Sequence, residues 1–152
     1  MSARTGHRYT IKDAARLTGL PASTLRYYEQ IGVISPISRG ASRGHRVYDE
    51  DDLDQLTWIA CLAATGLSVS DMRQYVANGR VGPSAAGEQA ELLEAQERRL
   101  AVEAEHLAVR RRYVRLKVDY WRAVEAGDDE RAELLSQEAR SLADALKRPT
   151  QD

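Results

Sequence analysis

Leu93, Leu100, Leu107, Val114 and Trp121 recur every seven residues, and Ala104 and Val118 fall at the complementary positions between them. Such a repeat wound on a helix forms a continuous apolar seam that a single chain leaves bare. Residues 88–126 are therefore expected to form a long coiled-coil helix that dimerises through those seven side chains. Glu97 and Arg111 interrupt the seam, which lowers stability and fixes register or orientation. A second stripe, Val109, Tyr113, Leu116 and Tyr120, lies beside it and requires another partner. The segment 127–152 offers one: Asp128 or Asp129 caps a short C-terminal helix carrying Leu135, Ala139, Leu142 and Leu146, and Pro149 ends it.

The N-terminal half is built differently. Tyr9-Thr10-Ile11 suits a short strand, and a helix from Lys12 carries Ala14, Ala15 and Leu17 to a stop at Gly19. Pro21, read as the first helical residue, opens a second helix that breaks at Gly32. Two short helices joined by Thr18-Gly19-Leu20-Pro21 make a helix-turn-helix. In the second helix Leu25 and Tyr28 share one face, while Ser23, Arg26, Tyr27 and Gln30 share the opposite one. The span Ile34–Tyr48 reads as a β-hairpin with Arg39, Arg43, His45 and Arg46 around its turn. A third helix starts at Asp49 or Glu50, and Ser68 caps a fourth that ends near Asn78-Gly79. Three glycines and Pro83 between Gly79 and Gly87 mark a junction. The expected division is a winged helix-turn-helix head over 1–79, a linker over 80–87, the dimerisation helix over 88–126 and a C-terminal helix and tail over 127–152, a mainly α fold.

Charge divides along the same line. Residues 1–48 hold eight basic and two acidic residues, +6, whereas the remainder holds 14 basic and 21 acidic, −7. A basic head on an acidic body fits a protein that touches nucleic-acid phosphates at one end only. The longest apolar runs, such as Trp58–Ala64, fall far short of a membrane span, and Met1–Thr10 lacks the apolar centre of a signal peptide, so a cytoplasmic location is expected. The single cysteine, Cys61, allows neither an internal disulfide nor a local zinc site. No nucleophile elbow, phosphate loop or paired-carboxylate motif points to an enzyme.

The strings Thr24-Leu25-Arg26-Tyr27-Tyr28-Glu29, Gly32-Val33-Ile34, Arg46-Val47-Tyr48 and Gly66-Leu67-Ser68, following Tyr9-Thr10-Ile11 and Ala14-Ala15, resemble the MerR family of transcriptional regulators. The resemblance covers residues 9–78 closely; Pro21 stands where many members have a capping serine. It implies that double-stranded DNA is the partner, with Ser23, Thr24, Arg26 and Tyr27 entering the major groove. Tyr28 either joins them or packs beside Leu25. Arg39, Arg43 and Arg46, with Tyr48, form the wing on the DNA backbone, and Lys12 and Arg16 reach phosphates or keep the first helix soluble. It also implies an antiparallel homodimer on a pseudo-palindromic promoter site, serving RNA polymerase as activator or acting as repressor. An architectural or partner-recruiting DNA-binding protein is the alternative.

The signal end stays open in the sequence. The long helix lacks the cysteines of metal-responsive members, which disfavours a metal site, and no cofactor is expected. Cys61, in Trp58-Ile59-Ala60-Cys61-Leu62, resembles the cysteine of a branch that answers aldehydes and other electrophiles; it is either that sensor or a small core residue. Trp58, Tyr113 and Tyr120, with Trp121, either hold a small aromatic or cationic ligand or complete the arm's core.

Overall fold

Four helices begin at a residue whose side chain accepts a hydrogen bond from the first turn, the device that satisfies an otherwise orphaned amide. In the computed structural model, which describes residues 6–40 and 43–148, Thr10 opens α1 (Ile11–Thr18) by accepting from the Asp13 amide at 3.1 Å, and the Asp13 carboxylate accepts from the Thr10 amide. Asp49 and Asp52 repeat this reciprocal box at the start of α3 (Glu50–Ala64). Ser68 caps α4 (Val69–Val81), and Asp128 caps α6 (Asp129–Ser141). α2 (Ala22–Gln30) starts without such a bond, because Pro21 occupies the cap position. Pro21 was expected inside the helix; its extended ψ of 148° places it just outside, and it offers no side-chain acceptor.

α1 packs against both α2 and α3, and α3 against α4. Leu25 and Tyr28 from α2, Leu53, Leu56 and Ile59 from α3, and Met72 and Val76 from α4 close one core around Ala14. Gly19, at φ 76°, turns the chain from α1 to α2 in a left-handed conformation that a side chain disfavours.

The strand at Tyr9–Ile11 and the hairpin over Ile34–Tyr48 are corrected. No strand forms among the described residues; Thr10 and Ile11 belong to the cap and first turn of α1. Single antiparallel bridges join Tyr9 to Tyr48 and Arg39 to Arg46. A ladder cannot extend because Pro36 has no N–H and the Ile37 N–H is taken by the Glu29 carboxylate at 3.0 Å. Val33, Ile34 and Ile37 all turn into the core, so the strand alternation is lost as well.

The span 80–87, expected as a linker, is ordered throughout: α4 runs to Val81, a 3-10 turn covers Pro83–Ala85, and α5 (Ala86–Glu125) starts directly after it. Asn78, expected near the end of α4, is instead buried and hydrogen-bonded. It accepts from Gln74 at 2.8 Å and donates to Gln89, which itself donates to the Tyr75 carbonyl. These amides join α4 to the first turns of α5.

The chain divides into two compact units, one ending at Leu92 and the other beginning at Leu93. In the second, the Asp128 amide donates to the Ala123 carbonyl, and Arg112 of α5 pairs with Glu138 of α6 at 2.5 Å, so α6 doubles back along α5. Leu116 and Ala123 are buried there with Ala132 and Ala139, the partner expected for the second stripe. The C-terminal helix breaks at Leu142, which separates α6 from α7 (Ala143–Lys147); its expected stop, Pro149, lies outside the described residues. Among the described residues no helix is long and apolar enough to cross a membrane.

Candidate nucleic-acid interface

Helical spacing separates the two faces of α2. Leu25 is fully buried and Tyr28 is 6% exposed, whereas Ser23, Arg26, Tyr27 and Gln30 all lie open, Tyr27 at 49%. Thr24 is half-buried at the border. The open face therefore carries two hydroxyls, a guanidinium and an amide on a helix fixed from behind by the core. These groups suit base edges and phosphates. Because Pro21 supplies no cap, the first-turn amides of α2 have no side-chain acceptor, the condition under which a helix N-terminus binds phosphate.

Tyr28 does not belong to that face. Its ring packs in the core, where burial raises its phenol above the ordinary value. Tyr48, expected on the wing, is likewise corrected: it is 0% exposed, with its hydroxyl enclosed and without a hydrogen-bond partner. Its backbone exchanges two 2.8 Å hydrogen bonds with Tyr9 and anchors the loop to the start of α1.

The wing cations fall into two groups. Arg39 and Arg43 are exposed; Arg39 donates to the Gly44 carbonyl at 3.0 Å, and Arg43 sits at φ 64°, in the left-handed region, at the turn. Arg46 is held inward instead, its Nε donating to Glu29 at 2.5 Å with only 21% of its side chain exposed. Burial alone would raise the Glu29 carboxyl, but the hydrogen bonds from Arg46 and the Ile37 amide, with the charges of Arg46 and Arg39, outweigh it and hold the carboxyl low. Sequence reasoning placed Arg46 among the DNA contacts and passed over Glu29. The only signal was that Glu29 is one of just two acids, with Asp13, among the eight cations of residues 1–48. Lys12 and Arg16 are exposed on α1, with Arg16 only 4.0 Å from Asp13.

Elsewhere, the seam residues of α5 are bare: Leu93, Leu100, Leu107, Val114, Val118 and Trp121 are exposed, Trp121 at 64%, and Ala104 with them. Cys61 is exposed on α3 and is not a core residue. Trp58 packs on Tyr75 at 5.4 Å in the first unit, whereas Tyr113 and Tyr120 flank the Lys117 ammonium in the second. Among the described residues no cluster of His, Cys, Asp and Glu is arranged to hold a metal.

This arrangement has relatives. The model of the MerR HTH family of regulatory proteins matches residues 9–79. The HTH-type transcriptional regulator AdhR of Bacillus subtilis is 43% identical over 65 residues, which are 43% of this chain and 46% of that protein. The chain spans about half the length of the curated relatives it matches. Among solved structures, a MerR family transcriptional regulator from Listeria monocytogenes aligns with a TM-score of 0.67 and 29% identity over 86% of this chain and 98% of that one. HiNmlR, a MerR family regulator lacking the sensor domain and bound to promoter DNA, shares the fold at a TM-score of 0.63 and 24% identity, over 96% of this chain and all of that one. With its capped α1, its open α2 face and its basic loop, the segment 9–79 of this chain belongs to the MerR family of helix-turn-helix regulatory proteins.

Proposed function

We propose that this chain is a sequence-specific DNA-binding transcriptional regulator that acts as a homodimer on a pseudo-palindromic promoter site. The observation that carries this reading is the open face of α2, with Arg26 and Tyr27 projecting from a helix whose other face is locked into the core. Arg26 addresses guanine edges in the major groove, Ser23, Thr24 and Tyr27 contact neighbouring bases or phosphates, and Arg39 and Arg43 grip the backbone beside it. Arg46 contributes by bracing the wing against Glu29. The bare seam on α5 then pairs two heads, so that their reading helices meet half-sites about one DNA turn, roughly 34 Å, apart. The site lies at promoters, where RNA polymerase is the downstream partner. No catalytic step forms part of this reading, and its place of action is the cytoplasm, where bacterial DNA resides.

Selection of bound fragments from genomic DNA, followed by titration of the best site against random duplex at matched salt, tests it. A regulator prefers its operator by about 4–10 kcal/mol. Equal affinity for both duplexes would instead identify an architectural binder, whose affinity is almost wholly electrostatic.

A further inference from the structure

The apolar seam of α5 contains two charges of opposite sign, Glu97 and Arg111, and the whole helix is polarised in the same sense. Its first half, residues 86–105, has six acidic and two basic residues, net −4; its second half, residues 106–125, has six basic and two acidic, net +4. Among the described residues, Glu94, Glu97, Glu103, Arg110 and Arg111 have no ion-pair partner within their own chain. Arg115 approaches Asp119 at 3.6 Å, with its own side chain 74% exposed, so that contact is readily exchanged for another.

We propose that a second copy of this chain covers the seam in one antiparallel register, and that charge pairing, centred on Glu97 of each copy and Arg111 of the other, makes the chain select its own kind as partner. This inference rests on the homodimer reading above and adds to it the register and the residues that enforce self-selection. Full antiparallel overlap of a helix running from 86 to 125 sets residue n opposite residue 211 − n of the partner. Every seam position from Leu93 to Val118 then meets a seam position, and Trp121 meets the partner's Ala90. Leu93 faces the partner's Val118, Ala104 the partner's Leu107, and Leu100 the aliphatic stem of the partner's Arg111. Glu97 lies in the layer next to the partner's Arg111, three residues or about 4.5 Å away along the axis, within reach of its guanidinium.

The flanking positions agree. The same register places Glu94 beside the partner's Arg115 and Glu103 beside the partner's Arg110, and two-fold symmetry makes each pair occur twice. Sliding one heptad in one direction sets Glu103 against the partner's Glu103; sliding in the other sets Arg110 against the partner's Arg110. A parallel pairing puts like-charged halves together and brings Arg110 against the partner's Arg115. Repulsion thus disfavours each alternative while attraction favours the centred register.

The test uses the full chain and two charge reversals, Glu97→Arg and Arg111→Glu, with self-association measured by sedimentation equilibrium. Each variant alone should self-associate at least about tenfold more weakly than the wild type. Mixed together, they should form a one-to-one heterodimer of near-wild-type affinity, identified by native mass spectrometry with one copy mass-tagged. The combined E97R/R111E chain should dimerise with itself again. Recovery on mixing also shows that both variants are folded. Variants that self-associate like the wild type, or a mixture no tighter than its components, overturn the proposed register. A wild-type chain that stays monomeric throughout the micromolar range overturns the homodimer reading itself.

Discussion

Glu29 and Arg46 meet at 2.5 Å, joining the last turn of α2 to the basic loop that follows it. The other Glu29 oxygen accepts the Ile37 amide at 3.0 Å, so one carboxylate holds the loop at two points. The reading face and the wing are thereby fixed relative to each other before any DNA arrives, which lowers the ordering cost of binding.

Removing that carboxylate should loosen the wing. Glu29→Ala is expected to destabilise the head by about 1–3 kcal/mol, since hydrogen bonds to a charged, mostly buried group are lost and Arg46 is left without its partner. Urea unfolding measures the stability change, and operator titration should show weaker binding even though Glu29 itself carries the wrong charge to contact phosphate.

The same contact sets a pH dependence. Glu29 is held below the usual carboxylate range in the fold, so the unfolded chain binds its proton more readily than the folded one. Its stabilisation is complete above the ordinary glutamate range and is lost as pH falls through the lowered value. Asp52, raised chiefly by burial, works in the opposite direction. The readout is therefore the difference between wild type and Glu29→Gln: the gap in unfolding free energy should shrink as pH drops, and a constant gap down to strongly acid pH would contradict the assignment.

Arg26→Ala should cost about 1–3 kcal/mol in operator affinity and relax selectivity at one base pair in each half-site. Because Arg26 is exposed and stands clear of the core, its thermal unfolding should match the wild type. Full retention of selectivity would remove the reading face from α2.

In the arm, Val114→Asp places a carboxylate within the bare seam, where Val114 is 60% exposed in the single chain. The dimer dissociation constant should rise at least about a hundredfold, or 2.7 kcal/mol. The circular dichroism of the dilute monomer should not change.

Cys61, being exposed, should react with a thiol reagent in the native protein as fast as a free cysteine does. If the adduct also changes operator affinity, Cys61 couples to DNA binding; protection until the chain unfolds would contradict its placement on the surface.

Much of the head was legible because its signals are local. Asp49 and Ser68 marked the starts of their helices, whereas Thr10 read as strand and instead caps α1; the separation of Leu25 and Tyr28 from Arg26 and Tyr27 follows from spacing alone. What failed were inferences that needed tertiary partners. Arg46 looked like one more phosphate ligand until Glu29, 17 residues earlier, came beside it. Tyr48 looked like a polar wing residue, yet the core closes over its ring. The helical course of 80–87 was not legible because composition registers glycine and proline, while the contacts there come from Gln74, Asn78 and Gln89 and from buried Ala85.

The bare seam of the single chain also has a consequence for dosage. If two copies must meet before either head holds its half-site, then below the dimer dissociation constant operator occupancy rises with the square of protein concentration rather than in proportion to it. The apolar stripe that leaves α5 incomplete on its own thus works as a threshold, keeping a few scattered copies off the promoter and letting a modest rise in their number fill it.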